Sequence, residues 1–350
     1  MIKDSKIYVA GHTGLVGSAI VRKLVSEGYS NIIGKTSSEL DLRNQFAVKT
    51  FFDRERPEYV FLAAAKVGGI WANNTYPAEF IYDNLMIESN VIHASFRNNV
   101  KKLLFLGSSC IYPKDSPQPI KEEYLLTGPL EPTNEAYALA KISGLKMCQF
   151  YRKQYGCDFI SAMPTNLYGP GDNFDLETSH VLPAIMRKMY LAKCLKYLDF
   201  DSIQDDLNKR PINIIDGKSS RVAITELLNN YGIVILPSGE CQLNLWGSGN
   251  PKREFLYIDD LADAVFTMMI KYSDNHHINV GSGVDITIRD LASMVSDIVG
   301  FSGKIYWDGS KPDGTNQKLL NIDSLQNLGW SQSYPLNEGI VLTYNSYINN

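Results

Sequence analysis

At 350 residues, with 44% hydrophobic and 21% charged side chains, the chain can build a large core and two lobes, which excludes a wholly disordered or fibrous protein. Its formal net charge is −4 and it has no basic tail, which argues against a dedicated nucleic-acid surface. No apolar run reaches membrane-spanning length and Met1–Lys6 leads straight into an apolar stretch, so the expectation is a cytoplasmic protein with neither signal peptide nor membrane attachment.

In chain order, Ile7–Ala10 reads as the first strand, and residues 14–27 as a helix with Ile20, Leu24 and Val25 on its apolar face. Asn31–Gly34 begins a second strand. Tyr59–Ala64, Lys102–Leu106 and Phe159–Pro164 follow as buried strands, each leaving through a polar or Gly/Pro-rich exit. Strands alternating with amphipathic segments predict an α/β fold, a Rossmann-type doubly wound parallel sheet with ligands gathered at the carboxyl ends of its strands. After Tyr168-Gly169-Pro170-Gly171 the chain turns irregular and richer in Trp and Pro, which predicts a smaller mixed α/β substrate-binding lobe. The expected division is a cofactor domain over 1–170, joined by about 250–280, and a second lobe over 171–249 and 281–350. Cys110, Cys148, Cys157, Cys194 and Cys241 are odd in number and lack paired ligand spacing, so neither a disulfide framework nor a metal site is expected.

Gly11-His12-Thr13-Gly14-Leu15-Val16-Gly17 joins the first strand to the first helix. In that context the glycines let backbone N–H groups and the helix N-terminus approach a pyrophosphate. Where an NAD site places an acid on the adenosine ribose, this chain reads Gly34-Lys35-Thr36-Ser37-Ser38, and a lysine there attracts a 2′-phosphate, so the expected cofactor is NADP(H).

Ser108-Ser109-Cys110 follows an apolar run, and Tyr137 precedes Lys141 by four residues. At that helical spacing the ammonium stands beside the phenol and is expected to lower its pKa, making a proton donor. A serine hydroxyl opposite it gives a carbonyl oxygen a second hydrogen bond that strengthens as negative charge develops during hydride addition. Simple ketone reduction leaves the Cys110 thiol without a task.

These elements look like the extended short-chain dehydrogenase/reductase superfamily. The runs Leu106–Pro113, Glu131–Tyr137, Pro164–Pro170, Trp246–Gly249 and Ser310–Gly314 closely resemble the GDP-L-fucose synthase family. The resemblance implies NADPH-dependent reduction of the C4 ketone of a GDP-4-keto sugar, after epimerisation at C3 and C5 in the same site. It makes Tyr137 the proton donor, Ser108 its partner on the C4 oxygen, and Lys141 the residue that tunes the phenol and holds the nicotinamide ribose. Cys110 and His180 become the acid–base pair of epimerisation. Cofactor contacts are implied at Gly11, Thr13, Gly14, Leu15, Val16 and Gly17, at Lys35, Asp41 and Leu42, and at Ala63 and Ala65. Pro164, Asn166, Leu167 and His180 complete that shell with Tyr137 and Lys141. Substrate contacts are implied at Ser109, Asn166 and Lys188, and around the nucleotide at Trp246, Arg253 and Lys311. A homodimer is implied, through helices of the kind that carries Tyr137.

Residues from about 193 to 241 have no counterpart in the family pattern recognised here. They are expected to form a surface excursion, a subunit contact or a reshaped sugar pocket, which leaves a monofunctional C4 reductase of a related 6-deoxyhexose or a heptose as the alternative. A 4,6-dehydratase lacks its acidic pair where this chain has Ser109-Cys110. A 4-epimerase leaves Cys110 unused, and a noncatalytic cofactor-binding regulator does not need the Ser-Tyr-Lys set.

Overall fold

The computed structural model describes residues 1–311 and 313–349, with Ile70 described by its backbone alone. Pro312, part of the Ser310–Gly314 run, and Asn350, the end of the second-lobe range, lie outside the described residues. The chain forms two compact units.

Unit 1 comprises Met1–Gly169, Glu254–Asp285 and Lys318–Leu336. Its centre is a six-stranded parallel sheet of β1 (Ile7–Ala10), β2 (Ile32–Ile33), β3 (Tyr59–Leu62), β4 (Lys102–Leu106), β5 (Phe159–Pro164) and the strand Ile278–Val280. The order across the sheet is Ile278–Val280, β5, β4, β3, β1, β2. Ile7 stands opposite Tyr59, and Leu106 opposite Ala162. The sheet is covered on both faces, so the strands are apolar throughout, and period-two alternation sends their side chains to two cores. Tyr8, Val60, Leu103 and Phe105 pack with Phe52, Val91, Leu145 and Cys148 on one face. Ile7, Val9, Phe61 and Leu104 pack with Ile20, Leu24, Leu261 and Val265 on the other.

The chain moves outward from β1 in both directions, to β2 on one side and β3 on the other. That reversal makes the carboxyl ends of β1 and β3 the expected ligand crevice. The first helix is Leu15–Ser26, with Gly14 extended before it. Ile20 and Leu24 are buried, but Val25 is 59% exposed, because 100° per residue carries it off the stripe they define. β2 forms over two residues only, as a half-buried edge, and β3 ends at Leu62, although the Ala63 N–H still donates to the Ala10 carbonyl at 3.0 Å. Residues 318–336, which sequence order suggests belong to the second lobe, pack with unit 1: the Ile120 N–H donates to Leu319 and the Asn321 N–H to Ile120, at 2.7 and 2.8 Å.

Unit 2 comprises Pro170–Arg253, Ile286–Gln317 and the chain from Asn337 onward. Its sheet pairs Lys304–Asp308 in parallel with Cys241–Trp246, which pairs antiparallel with Ile233–Ile235. The segment 193–241 is folded rather than looped. It contains the helices Phe200–Lys209 and Arg221–Asn230, which bury Ile203, Leu207, Ile224 and Leu228. Asp206 anchors it, accepting from the fully buried Arg187 Nε at 2.9 Å and from the Tyr347 hydroxyl at 2.5 Å.

Candidate active site

The glycine loop emerges from β1 at the switch point. A side chain at Gly17 would run into the Gly11 carbonyl, so the turn closes only with glycine there. The helix Leu15–Ser26 has no side-chain cap and no acid in its first turn, leaving its N-terminal N–H groups for an anion. Thr13 and Gly14 are exposed, and Leu15 and Val16 half-buried. Ala63 and Ala65, both half-buried, lie just beyond β3, beside this loop's strand. The cradle fits a dinucleotide pyrophosphate.

Lys35 donates to Glu39 Oε1 at 2.9 Å, a pairing the sequence reading missed. Glu39 also accepts from the Thr36 N–H and hydroxyl, and these bonds with Lys35 hold its carboxyl down at about 2. Any 2′-phosphate drawn to Lys35 therefore competes with a carboxylate in place. Asp41 is exposed and paired with Arg43 at 3.0 Å, while the Leu42 carbonyl accepts from Asn90 Nδ2 at 2.9 Å. Farther along the sheet, Pro164 ends β5 opposite Val280. Leu167 is half-buried, and Asn166 Nδ2 donates to the Glu254 carbonyl at 2.8 Å.

The reactive cluster grows from the end of β4 and the helix Glu135–Tyr155. Ser108 stands extended before the short helical turn Ser109–Ile111, and its hydroxyl oxygen accepts from the Cys110 N–H at 3.3 Å. Ser109 and Cys110 are buried. Burial pushes the Cys110 thiol up, opposed by the charge of Lys318, the Ser108 hydroxyl and the charge of Lys141. Lys318, which no motif singled out, belongs to this cluster.

Lys141 is buried one helical turn beyond Tyr137, its Nζ 5.7 Å from the centre of the phenol ring. The ammonium pairs with Glu88 Oε1 at 2.9 Å and donates to the Leu106 carbonyl at 3.0 Å. Despite the ammonium beside it, the phenol does not end below its ordinary pKa. Burial pushes Tyr137 well above its ordinary value, and the charges of Cys110 and Glu88 push the same way. At neutral pH Tyr137 is a protonated donor.

In unit 2, His180 is an exposed residue that precedes the helix Val181–Lys196, and desolvation lowers its pKa. Lys188 follows on that helix, its ammonium 6.0 Å from the Tyr231 ring and its pKa lowered by burial. Parallel pairing sets Asp308 opposite Trp246, bringing the Trp246–Gly249 and Ser310–Gly314 runs to one sheet end. There the Lys311 ammonium lies 5.5 Å from the exposed Trp246 ring, and Asp313 accepts from the Ser248 N–H and hydroxyl at 2.6 and 2.8 Å. Arg253, half-buried, donates to the Lys252 carbonyl at 2.8 Å, and its charge helps hold the Asp313 carboxyl down. An aromatic face with cations beside it suits a purine and its phosphates.

The model of the NAD dependent epimerase/dehydratase family matches residues 7–221 and 222–281. GDP-L-fucose synthase 1 of Arabidopsis thaliana is 51% identical, over 99% of this chain and 94% of that protein. Two solved Campylobacter jejuni structures are also similar. One, a GDP-6-OMe-4-keto-L-xylo-heptose reductase, is 43% identical with a TM-score of 0.91, over 100% of this chain and 99% of the other. The other, MlghC, a GDP-mannoheptose C4 reductase with NADP bound, is 42% identical with a TM-score of 0.84, over 99% of each chain. With a Rossmann-type sheet, a glycine cradle at its switch point and a Ser-Tyr-Lys cluster at its strand ends, the chain belongs to the NAD dependent epimerase/dehydratase family and, within it, to the GDP-L-fucose synthase relatives.

Proposed function

We propose that this enzyme reduces the C4 ketone of a GDP-4-keto sugar with NADPH and epimerises C3 and C5 in the same site. The observation that carries the reading is the cluster of Ser108, Cys110, Tyr137 and Lys141 at the end of the sheet, with a thiol that reduction alone does not use. NADP(H), when bound, supplies the hydride. Ser108 donates a hydrogen bond to the ketone oxygen, and Tyr137 delivers the proton that completes the alcohol. In the epimerisation, Cys110 is the proposed base that removes the acidified C–H proton and His180 the proposed acid. Trp246, Arg253 and Lys311 are the proposed nucleotide contacts, with Lys188 also proposed for the substrate.

Incubation with GDP-4-keto-6-deoxymannose and NADPH in D₂O tests this directly: NADPH is consumed and deuterium appears at C3 and C5. Consumption without deuterium removes the epimerase half, and no consumption removes the reductase. Changing Cys110 to Ser is expected to slow deuterium incorporation by about 10²-fold while leaving reduction of an already epimerised ketone nearly intact. The second reading, a C4 reductase of a GDP-4-keto-heptose with epimerisation done by another enzyme, is supported by the two Campylobacter jejuni neighbours. Parallel incubations with the heptose substrate separate the two.

NADP(H) is the proposed cofactor, supported by Lys35 at the end of the second strand and by the NADP-bound neighbour. Lys35→Ala should weaken NADPH binding about fivefold relative to NADH, an exposed charge contributing about 1 kcal/mol. Equal loss for both cofactors in a binding titration would remove Lys35 from the discrimination. A homodimer is proposed. The helices Pro77–Arg97 and Glu135–Tyr155 leave Tyr82 and His93, and Leu139 and Phe150, exposed at helical spacing on faces available to a second copy. No described helix is long and apolar enough to cross a membrane. The cytoplasm is the proposed location, since a working Cys110 thiol needs a reducing compartment.

A further inference from the structure

We infer that Glu88 is a positioning residue that fixes the Lys141 ammonium and offsets its charge, so that Tyr137 remains a proton donor. This rests on the ketone-reductase reading above. Glu88 lies on the helix Pro77–Arg97 and Lys141 on the helix Glu135–Tyr155. Their side chains are 1% and 2% exposed and meet at 2.9 Å.

The carboxylate has a place made for it. One turn beyond Lys141 stands Gly144, where a Cβ would lie 2.6 Å from Glu88 Oε2 and 2.5 Å from the Phe105 ring. Any larger residue would force the Glu88 carboxylate out of its seat. Lys141 is thus held between its ion-pair partner Glu88 and the Leu106 carbonyl that accepts from it, with its ammonium beside the Tyr137 ring. Among the described residues Lys141 is the only ion-pair partner of Glu88. A buried ion pair adds little net stability over an apolar pair of similar volume. Packing alone therefore gives no reason for a carboxylate at this position.

An unopposed lysine cation so close would favour the phenolate, whereas reduction consumes the phenol. The charged and titratable groups facing Tyr137 are Cys110 from the turn after β4, Glu88 from the helix Pro77–Arg97, and Lys141 from its own helix. Those facing Glu88 are Lys141, Tyr137 and Cys148. Burial pushes the Glu88 carboxyl up, but the Lys141 ammonium 2.9 Å away favours its ionised form, and a carboxylate there opposes both phenol ionisation and the field of Lys141. The sign follows. Activity that needs the phenol is lost as pH rises through its pKa, and removing the Glu88 charge lowers that pKa.

The test is the pH profile of kcat for NADPH oxidation in wild type, Glu88→Gln and Glu88→Asp. The Gln variant is expected to lose activity on the alkaline side about one pH unit or more below wild type. The Asp variant, which keeps the charge with its carboxylate withdrawn by one methylene, should fall between the two. Folded Gln and Asp variants whose alkaline limbs coincide with wild type overturn the inference, whatever their thermal stability. Should the Gln variant not fold, the Asp variant alone decides by the same criterion. If wild type oxidises no NADPH with either ketone, the reductase reading fails instead. The inference is then read from the tyrosinate absorbance that a Tyr137→Phe change removes, whose midpoint must fall in Glu88→Gln and whose constancy overturns it.

Discussion

Tyr137→Phe is expected to slow ketone reduction by about 10²–10⁴-fold, the range a positioned general acid contributes, while NADPH binding stays near wild type. A ketone that gains a hydride must also gain a proton to become an alcohol. Burial and the neighbouring Cys110 and Glu88 keep the Tyr137 phenol protonated, so it enters the reaction in the form required. Ser108 can stabilise the oxygen with its O–H while its lone pair accepts from the Cys110 N–H, but an alcohol is a poor proton source. Phenylalanine keeps the ring that packs edge-on against Phe80, centroids 6.3 Å apart, and removes only the hydroxyl. Loss of NADPH absorbance measures turnover, and quenching on titration with NADPH measures binding. Turnover within tenfold of wild type would remove Tyr137 from the proton-donor role.

Asp206→Ala is expected to destabilise unit 2 by about 3–5 kcal/mol, the cost of leaving a buried charge without its partner. Asp206 is buried and accepts from the Arg187 Nε, from the Tyr347 hydroxyl and, at 3.4 Å, from Arg210. Without it the fully buried Arg187 guanidinium keeps, among the described residues, only the carbonyls of Phe174 and Arg210. Neutral acceptors do not balance a cation removed from water. The helices Phe200–Lys209 and Arg221–Asn230 should loosen together, giving a lower urea midpoint and faster proteolytic cleavage within residues 197–232. Asp206→Asn retains acceptor capacity and should lose less. An unchanged midpoint for the alanine variant would show that this anchor does not hold the segment.

Tyr137 and Asp206 are unequally legible in the sequence. Tyr137 and Lys141 announce themselves, because helical spacing alone puts them on one face. Asp206 does not: in Asp205-Asp206-Leu207-Asn208 it reads as a solvated acid. Glu88 is equally silent in Met86-Ile87-Glu88-Ser89-Asn90, since a glutamate in a helix interior is ordinarily exposed. Lys318 sits near the carboxyl end of the chain, remote in sequence from the thiol whose ionisation it favours.

Most of the parallel sheet was legible in the sequence, as were the candidate reacting groups, but the edge strand Ile278–Val280 was not. Strand alternation is local, so Ile7–Ala10, Lys102–Leu106 and Phe159–Pro164 were legible to the residue. The glycine loop and the Tyr137–Lys141 spacing are equally local. Tertiary structure alone decided which charges meet: Lys141 with Glu88, Arg187 with Asp206, Lys35 with Glu39, and Lys311 with Trp246. Electrostatic energy depends on separation and burial in space, and for groups on different elements neither is written in a stretch of chain. Hence Lys141, legible as the neighbour of the phenol, proved to be held by a carboxylate that shifts the balance back toward the proton donor.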